Sequence, residues 1–79
     1  MRVHDLKCLP VYFQAVIDEE KKFEIRKNDR DFRVGDLVTL TECSPYDSEP
    51  TGRRYDLYIT YIFYGGAYGL DQEYCIFNW

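Results

Sequence analysis

Seventy-nine residues leave room for one domain, residues 1–79, with a small core, and a composition of 46% hydrophobic, 18% aromatic and 30% charged residues excludes a disordered chain. Ten Lys and Arg against fourteen Asp and Glu give a net charge of −4, which excludes the broad basic footprint that a long nucleic-acid duplex requires. Cys8, Cys43 and Cys75 are widely spaced, with no Cys-x-x-Cys and a single histidine, so small buried thiols are expected and neither a disulfide framework nor a metal centre is.

In chain order, Val3 to Cys8 reads as a short strand in which Val3, Leu6 and Cys8 alternate imperfectly with His4, Asp5 and Lys7. Pro10 suits the first helical position, and Leu9, Phe13, Val16 and Ile17 then share one face, which predicts a helix over about 10–18. The carboxylates of Asp18, Glu19 and Glu20 stand at the negative end of its dipole and should end it promptly. From Lys22 to Arg26 the period is two, with Phe23 and Ile25 on one face and Lys22, Glu24 and Arg26 on the other. Lys21 lies at the helix-to-strand junction, where alternation leaves its direction open.

Lys27 to Arg33 is expected as a polar loop, and Val34-Gly35-Asp36 as a turn into a strand of Leu37 to Thr41. Glu42 to Arg54 is dense in turn formers and predicts a mobile surface loop. Tyr55 to Tyr64 reads as one long strand, apolar or aromatic on both faces and therefore central, and Tyr74 to Trp79 as a final strand after the Gly65–Gly69 break. These elements predict an α+β fold: a small mixed β-barrel of about five strands with one N-terminal helix plugging an end. The N-terminus has no apolar signal core and no stretch approaches the roughly 20 apolar residues of a membrane helix, so a cytoplasmic protein without membrane contact is expected.

Charge is divided by segment. Lys21 to Arg33 holds six Lys or Arg and three Asp or Glu, a balance of +3, leaving −7 for the rest. Within this island Lys21, Glu24 and Arg26 suit an anionic ligand: Arg26 can fork to phosphate, Lys21 adds a point charge, and Glu24 can orient either cation or accept from a base amino group. The bland alternative is a solvated ladder of ion pairs among Lys22, Glu24 and Arg26, worth little energetically.

The stretches His4-Asp5-Leu6-Lys7, Phe23 to Phe32, Val34-Gly35-Asp36 and Gly65 to Leu70 follow one another in an order that resembles the ASCH-like group of unknown-function domains of phages and prophages, itself similar to the PUA superfamily. The resemblance spans nearly the whole chain. It implies a pseudo-barrel with a cleft beside the helix, where a Gly-x-Lys-x-x-Glu-x-Arg pattern meets RNA or a nucleotide. Lys21, Glu24 and Arg26 match that pattern, while Glu19 stands at its glycine position.

The expected function is therefore an RNA- or nucleotide-binding module with a cationic cleft around Lys21, Glu24 and Arg26, and no cofactor. Lys22 and Arg30 add cations from the same island; His4 is a minor candidate because it titrates nearest neutrality. Tyr68, with Tyr12, Tyr64 and Trp79, is a candidate to stack a base. Two alternatives belong to other classes. A phage accessory or anti-defence protein would bind a host protein through acidic residues such as Asp47, Glu49, Asp56, Asp71 and Glu73. A small nucleoside amidohydrolase, which the resemblance also suggests, would need a threonine where this chain has Glu24. Exposed Tyr64, Tyr68 and Trp79 are also compatible with the seam of a homodimer.

Overall fold

Strand β1 (Val3–Cys8) alternates strictly, turning His4, Leu6 and Cys8 inward and Val3, Asp5 and Lys7 outward. Leu6 and Cys8 lie inward as expected and set the parity, so His4 goes inward with them and Val3, expected beside them, is exposed. The structure, a computed structural model, describes all residues 1–79.

Helix α1 (Pro10–Ile17) starts with proline in its first turn and buries Phe13 and Val16. It ends one residue earlier than expected, with Asp18 as C-cap. The Glu19 N–H donates to the Val16 carbonyl at 3.0 Å and the Glu20 N–H to the Ala15 carbonyl at 2.9 Å, the paired bonds of a Schellman cap. Such a cap needs a left-handed residue after the C-cap, and Glu19 supplies it with φ 61°. The glycine of the Gly-x-Lys-x-x-Glu-x-Arg pattern thus corresponds to a helix-stop position, and this chain keeps the backbone shape without the glycine.

Strands β2 (Phe23–Lys27), β3 (Leu37–Cys43), β4 (Pro50–Tyr58), β5 (Tyr61–Tyr64) and β6 (Tyr74–Asn78) complete the fold. They form two three-stranded sheets, ordered β1-β3-β4 and β2-β6-β5, with β1 parallel to β3 and every other pair antiparallel. Leu6, Phe13, Phe32, Leu40, Ile59 and Phe77 belong to the single core cluster, to which both sheets and the helix contribute.

Six strands in two sheets replace the expected barrel of about five, and the barrel does not close: β1 and β2 each keep an unpaired edge. Two local features explain the strand count. The long segment 55–64 is two edge strands, since the Ile59 N–H bonds the Asp36 carbonyl at 3.0 Å whereas the Thr60 N–H bonds the Asn78 carbonyl at 2.9 Å. The chain passes from the first sheet to the second between these residues, and the buried parity shifts from Leu57 and Ile59 to Ile62. Its two apolar faces reflect that shift, not a central strand; β3 and β6 hold the central places. The expected loop 42–54 shrinks to a turn closed by the Ser44 N–H on the Glu49 carbonyl at 2.9 Å, and β4 begins at Pro50.

One polar clamp ties the start of β1 to the turn before β3. The buried Asp36 carboxylate accepts from His4 Nε2 at 2.8 Å, the Arg33 N–H at 3.1 Å and the Arg2 N–H at 3.3 Å. Burial alone would push the Asp36 carboxyl up, but these bonds from His4 and the two backbone groups outweigh it and hold the group below its ordinary value of 3.8. A depressed folded value means that the stabilisation is fully present above the ordinary value and is lost as pH falls below it, through the folded one.

Two predictions follow from these local structures. Urea unfolding of Asp36→Ala should show a loss of about 3 kcal/mol at neutral pH, since three donors lose their acceptor, and the gap to the native protein should narrow below pH ~4; a constant gap would contradict the clamp. Glu19→Gly should raise stability by about 1 kcal/mol, because glycine adopts the left-handed conformation without the penalty borne by other residues; an unchanged or lowered urea midpoint would contradict it.

Candidate functional site

Glu24 and Arg26 of β2 lie opposite Phe77 and Cys75 of β6, and both of these β6 residues are wholly buried. Cross-strand neighbours share a face, so Glu24 and Arg26 point inward and Phe23, Ile25 and Lys27 point outward. This inverts the usual amphipathic pattern. Relative side-chain exposure is 6% for Glu24, 18% for Lys21 and 27% for Arg26, which excludes the solvated ladder of ion pairs.

The Glu24 carboxylate is held from both sides. Arg26 Nε donates to one oxygen at 2.8 Å, and Lys21 Nζ donates to the other and to the Phe23 carbonyl at 2.7 Å. Lys21, whose direction alternation left open, therefore joins Glu24 and Arg26. Arg26 Nη2 reaches across to the Lys7 carbonyl at 2.8 Å and so bridges the two unpaired strand edges. A burial this deep is tolerated because each carboxylate oxygen meets a cation.

A cleft of about 490 Å³ opens along that bridge. Lys7, Cys8 and Leu9 from the end of β1 and Tyr12 from α1 form one wall. Lys21 and the β2 residues Phe23, Glu24, Ile25 and Arg26 form the other. Lys21 Nζ stands 5.2 Å from the Phe23 ring centre and 6.0 Å from that of Tyr12, so rings flank the cation. The three central charges sum to +1, in a lining that is otherwise mostly apolar, and Lys7 contributes its carbonyl as the acceptor for Arg26. Burial pushes the Cys8 thiol up and the Glu24 charge adds to this, against the opposing effects of Lys21 and Arg26. Cys8 is thus a neutral wall residue, not a thiolate nucleophile.

The other expected site residues lie elsewhere. Lys22 is exposed and outside the cleft lining. His4 is buried in the Asp36 clamp, against the Phe32 ring. Arg30 donates to the Asp5 carbonyl at 3.0 Å and lines a separate hollow of about 170 Å³ beside Arg26, Lys27 and Asp29. Tyr68 is almost fully exposed, with its ring next to Phe63 and away from the cleft. Of the stacking candidates only Tyr12 lines the cleft; the Tyr64 hydroxyl bonds the Phe32 carbonyl and Trp79 packs on the core. Lys7, Leu9, Phe23 and Ile25 were not expected in the site. Lys7 carried a signal, standing within the His4-Asp5-Leu6-Lys7 stretch, but the approach of β1 to β2 is tertiary. The five acidic residues named above are spread over the turn before β4, β4 itself and the β5–β6 connection.

These features define a small two-sheet α+β domain with a cationic cleft at its open seam. The chain belongs to the family described as a domain of unknown function (DUF3850), whose model matches residues 3–79. It is similar to an uncharacterized 12.9 kDa protein in the GpA 3′ region of Escherichia phage P2, with 34% identity over 59 residues that cover 75% of this chain. The match spans about half, 52%, of the phage protein's length. The family is thus one of unknown function with a phage-borne relative. No helix is long and apolar enough to cross a membrane.

Glu24→Ala should lower stability by about 3–5 kcal/mol in urea unfolding, because it leaves two partly buried cations without their carboxylate; a loss under about 1 kcal/mol would place Glu24 outside the core arrangement described here.

Proposed function

We propose that the cleft binds a nucleotide or the end of a single-stranded RNA, with a phosphate on Lys21 and Arg26 and a base against Tyr12 or Phe23. The observation that carries this reading is the convergence of Lys21, Glu24 and Arg26 on one cleft flanked by aromatic rings. Arg26 spends Nε and Nη2 on protein acceptors, and its Nη1, which has no partner within the chain, is left to donate to an oxyanion. Glu24 holds both cations in place, so little side-chain freedom is lost when an anion arrives. The ordered stretches that resemble the ASCH-like and PUA-like domains support the same reading.

Scale and charge favour a small ligand. A cleft of about 490 Å³ lies within the range of small-molecule sites, and the −4 chain offers no broad positive field for a longer polyanion. Binding is favoured over amidohydrolase turnover because the lining contains no Ser or Thr hydroxyl, Glu24 stands at the threonine position, and Cys8 stays neutral.

Titration by NMR and calorimetry with nucleoside monophosphates and a short 5′-phosphorylated RNA tests the reading. Binding should weaken about three- to sevenfold between ~50 and ~200 mM salt, as one or two neutralised phosphates require. Arg26→Gln should weaken it at least about tenfold, and Tyr12→Ala by about five- to thirtyfold through lost stacking. Absence of any shift at Lys21, Tyr12 and Arg26 up to ~1 mM ligand would refute the proposal. Saturable binding of a purified host protein by such a ligand-inert chain would favour the accessory-protein alternative.

A further inference from the structure

The two sheets dress their outer faces differently. Outside the first sheet, Asp5, Thr39 and Asp56 form one cross-strand row and Lys7, Thr41 and Arg54 the next. Thr39 Oγ1 donates to Asp56 and Thr41 Oγ1 to Asp5, both at 2.7 Å, so two rows of this face are polar and only the end row of Val3, Leu37 and Tyr58 is apolar. Outside the second sheet, Ile25, Ile76 and Phe63 stand side by side across all three strands. Phe23 and Tyr61 flank Asn78 in the next row, and Tyr74 stands opposite Lys27 on the other side. The Tyr68 ring, 6.0 Å from that of Phe63, extends the patch.

We infer that this face is the interface of a homodimer, with a second copy of the chain seated on β2-β6-β5. Area supports that occupant. Phe23, Ile25, Tyr61, Tyr68 and Tyr74 are 41–96% exposed, and at about 200 Å² for each fully exposed side chain they present about 600 Å² per copy. Two such faces bury about 1,200 Å², the lower bound of a stable interface, before Ile76 and Phe63 are counted. Charge supports it as well. The three rows carry one charged residue, Lys27, and its nearest carboxylate is Glu73 at 4.0 Å on the same rim. Two copies can meet across such a face without burying an unpaired charge, and Lys27 of each can exchange Glu73 for that of its mate. A polynucleotide would find rings there but a single cation to receive its phosphates.

This dimer is centred differently from the sequence expectation. Tyr64 faces inward to the Phe32 carbonyl and Trp79 packs on the core, so Tyr68 alone of that trio belongs to the patch.

Sedimentation equilibrium of the full chain from about 1 to 500 µM tests the inference, and a dimer with a dissociation constant in the micromolar range is expected for an interface of this size. Tyr61→Asp, on the edge farthest from the cleft, should weaken dimerisation at least tenfold, an estimate of about 1.4 kcal/mol or more, with unchanged circular dichroism. Tyr58→Asp, similarly exposed but outside the first sheet, should leave it intact. A native chain that stays monomeric throughout, or a Tyr58→Asp variant that dissociates as readily as Tyr61→Asp, overturns the inference. A monomer whose Tyr61, Phe63 and Tyr74 resonances shift on adding single-stranded RNA overturns it too, and assigns the face to nucleic acid. Neither variant alters a cleft residue, and sedimentation without nucleotide reads this face separately from ligand binding, although Phe23 and Ile25 border both surfaces.

Discussion

A buried carboxylate gripped by two cations organises this domain. Glu24 enters the interior from β2, and Lys21 and Arg26 follow it because the alternative is an uncompensated charge in an apolar setting. The pairing of Glu24 and Arg26 with the buried Phe77 and Cys75 of β6 sets which way β2 faces, and much else follows. Arg26 is brought within reach of the Lys7 carbonyl and spans the gap between two strand edges that make no ladder with each other. The gap becomes a cleft, and the outward turn of Phe23 and Ile25 gives the second sheet an apolar exterior.

The cleft owes its shape to the fold staying open. Closing β1 onto β2 would have consumed their backbone donors and acceptors and left a barrel without a seam. Instead a side chain makes the bridge, so the seam keeps a fixed cation at its mouth. The supports behind it are stiff. The Schellman cap at Glu19 delivers the chain from α1 to Lys21, and the Asp36 clamp holds the start of β1 against the turn before β3. Functional side chains mounted on such elements are positioned more tightly than those on loops.

How much of this was legible in the sequence depended on whether the cause was local. Residues 3–8 and 10–17 were readable because alternation, proline and apolar spacing act within a few positions. The orientation of β2 was not. The alternation puts Phe23 and Ile25 on one face and the charges on the other without saying which is buried, and only the pairing with Cys75 and Phe77 on β6 decides it. Likewise 55–64 looked like one strand because Ile59 and Thr60 change partners without any glycine or proline to mark the place. The trio Lys21, Glu24 and Arg26 was found from an ordered motif, whereas Lys22 was set beside them by an alternation that begins one residue too early. Lys7, Leu9 and Ile25 join the site only through the approach of β1 and α1 to β2, which no short-range pattern encodes. His4 drew attention as a titratable group, and its burial against Asp36 gives it a structural task instead.

The most direct test of the account is the arginine side-chain ¹⁵N–¹H spectrum of the native protein, read before and after addition of a nucleoside monophosphate. The account predicts a slowly exchanging Arg26 Nε–H, protected by Glu24 and shifted by the ligand, while Arg53, which pairs with Glu42 and Gln14 outside the cleft lining, stays unmoved. A rapidly exchanging Arg26 Nε–H that ignores the ligand would contradict both the buried carboxylate and the site built on it.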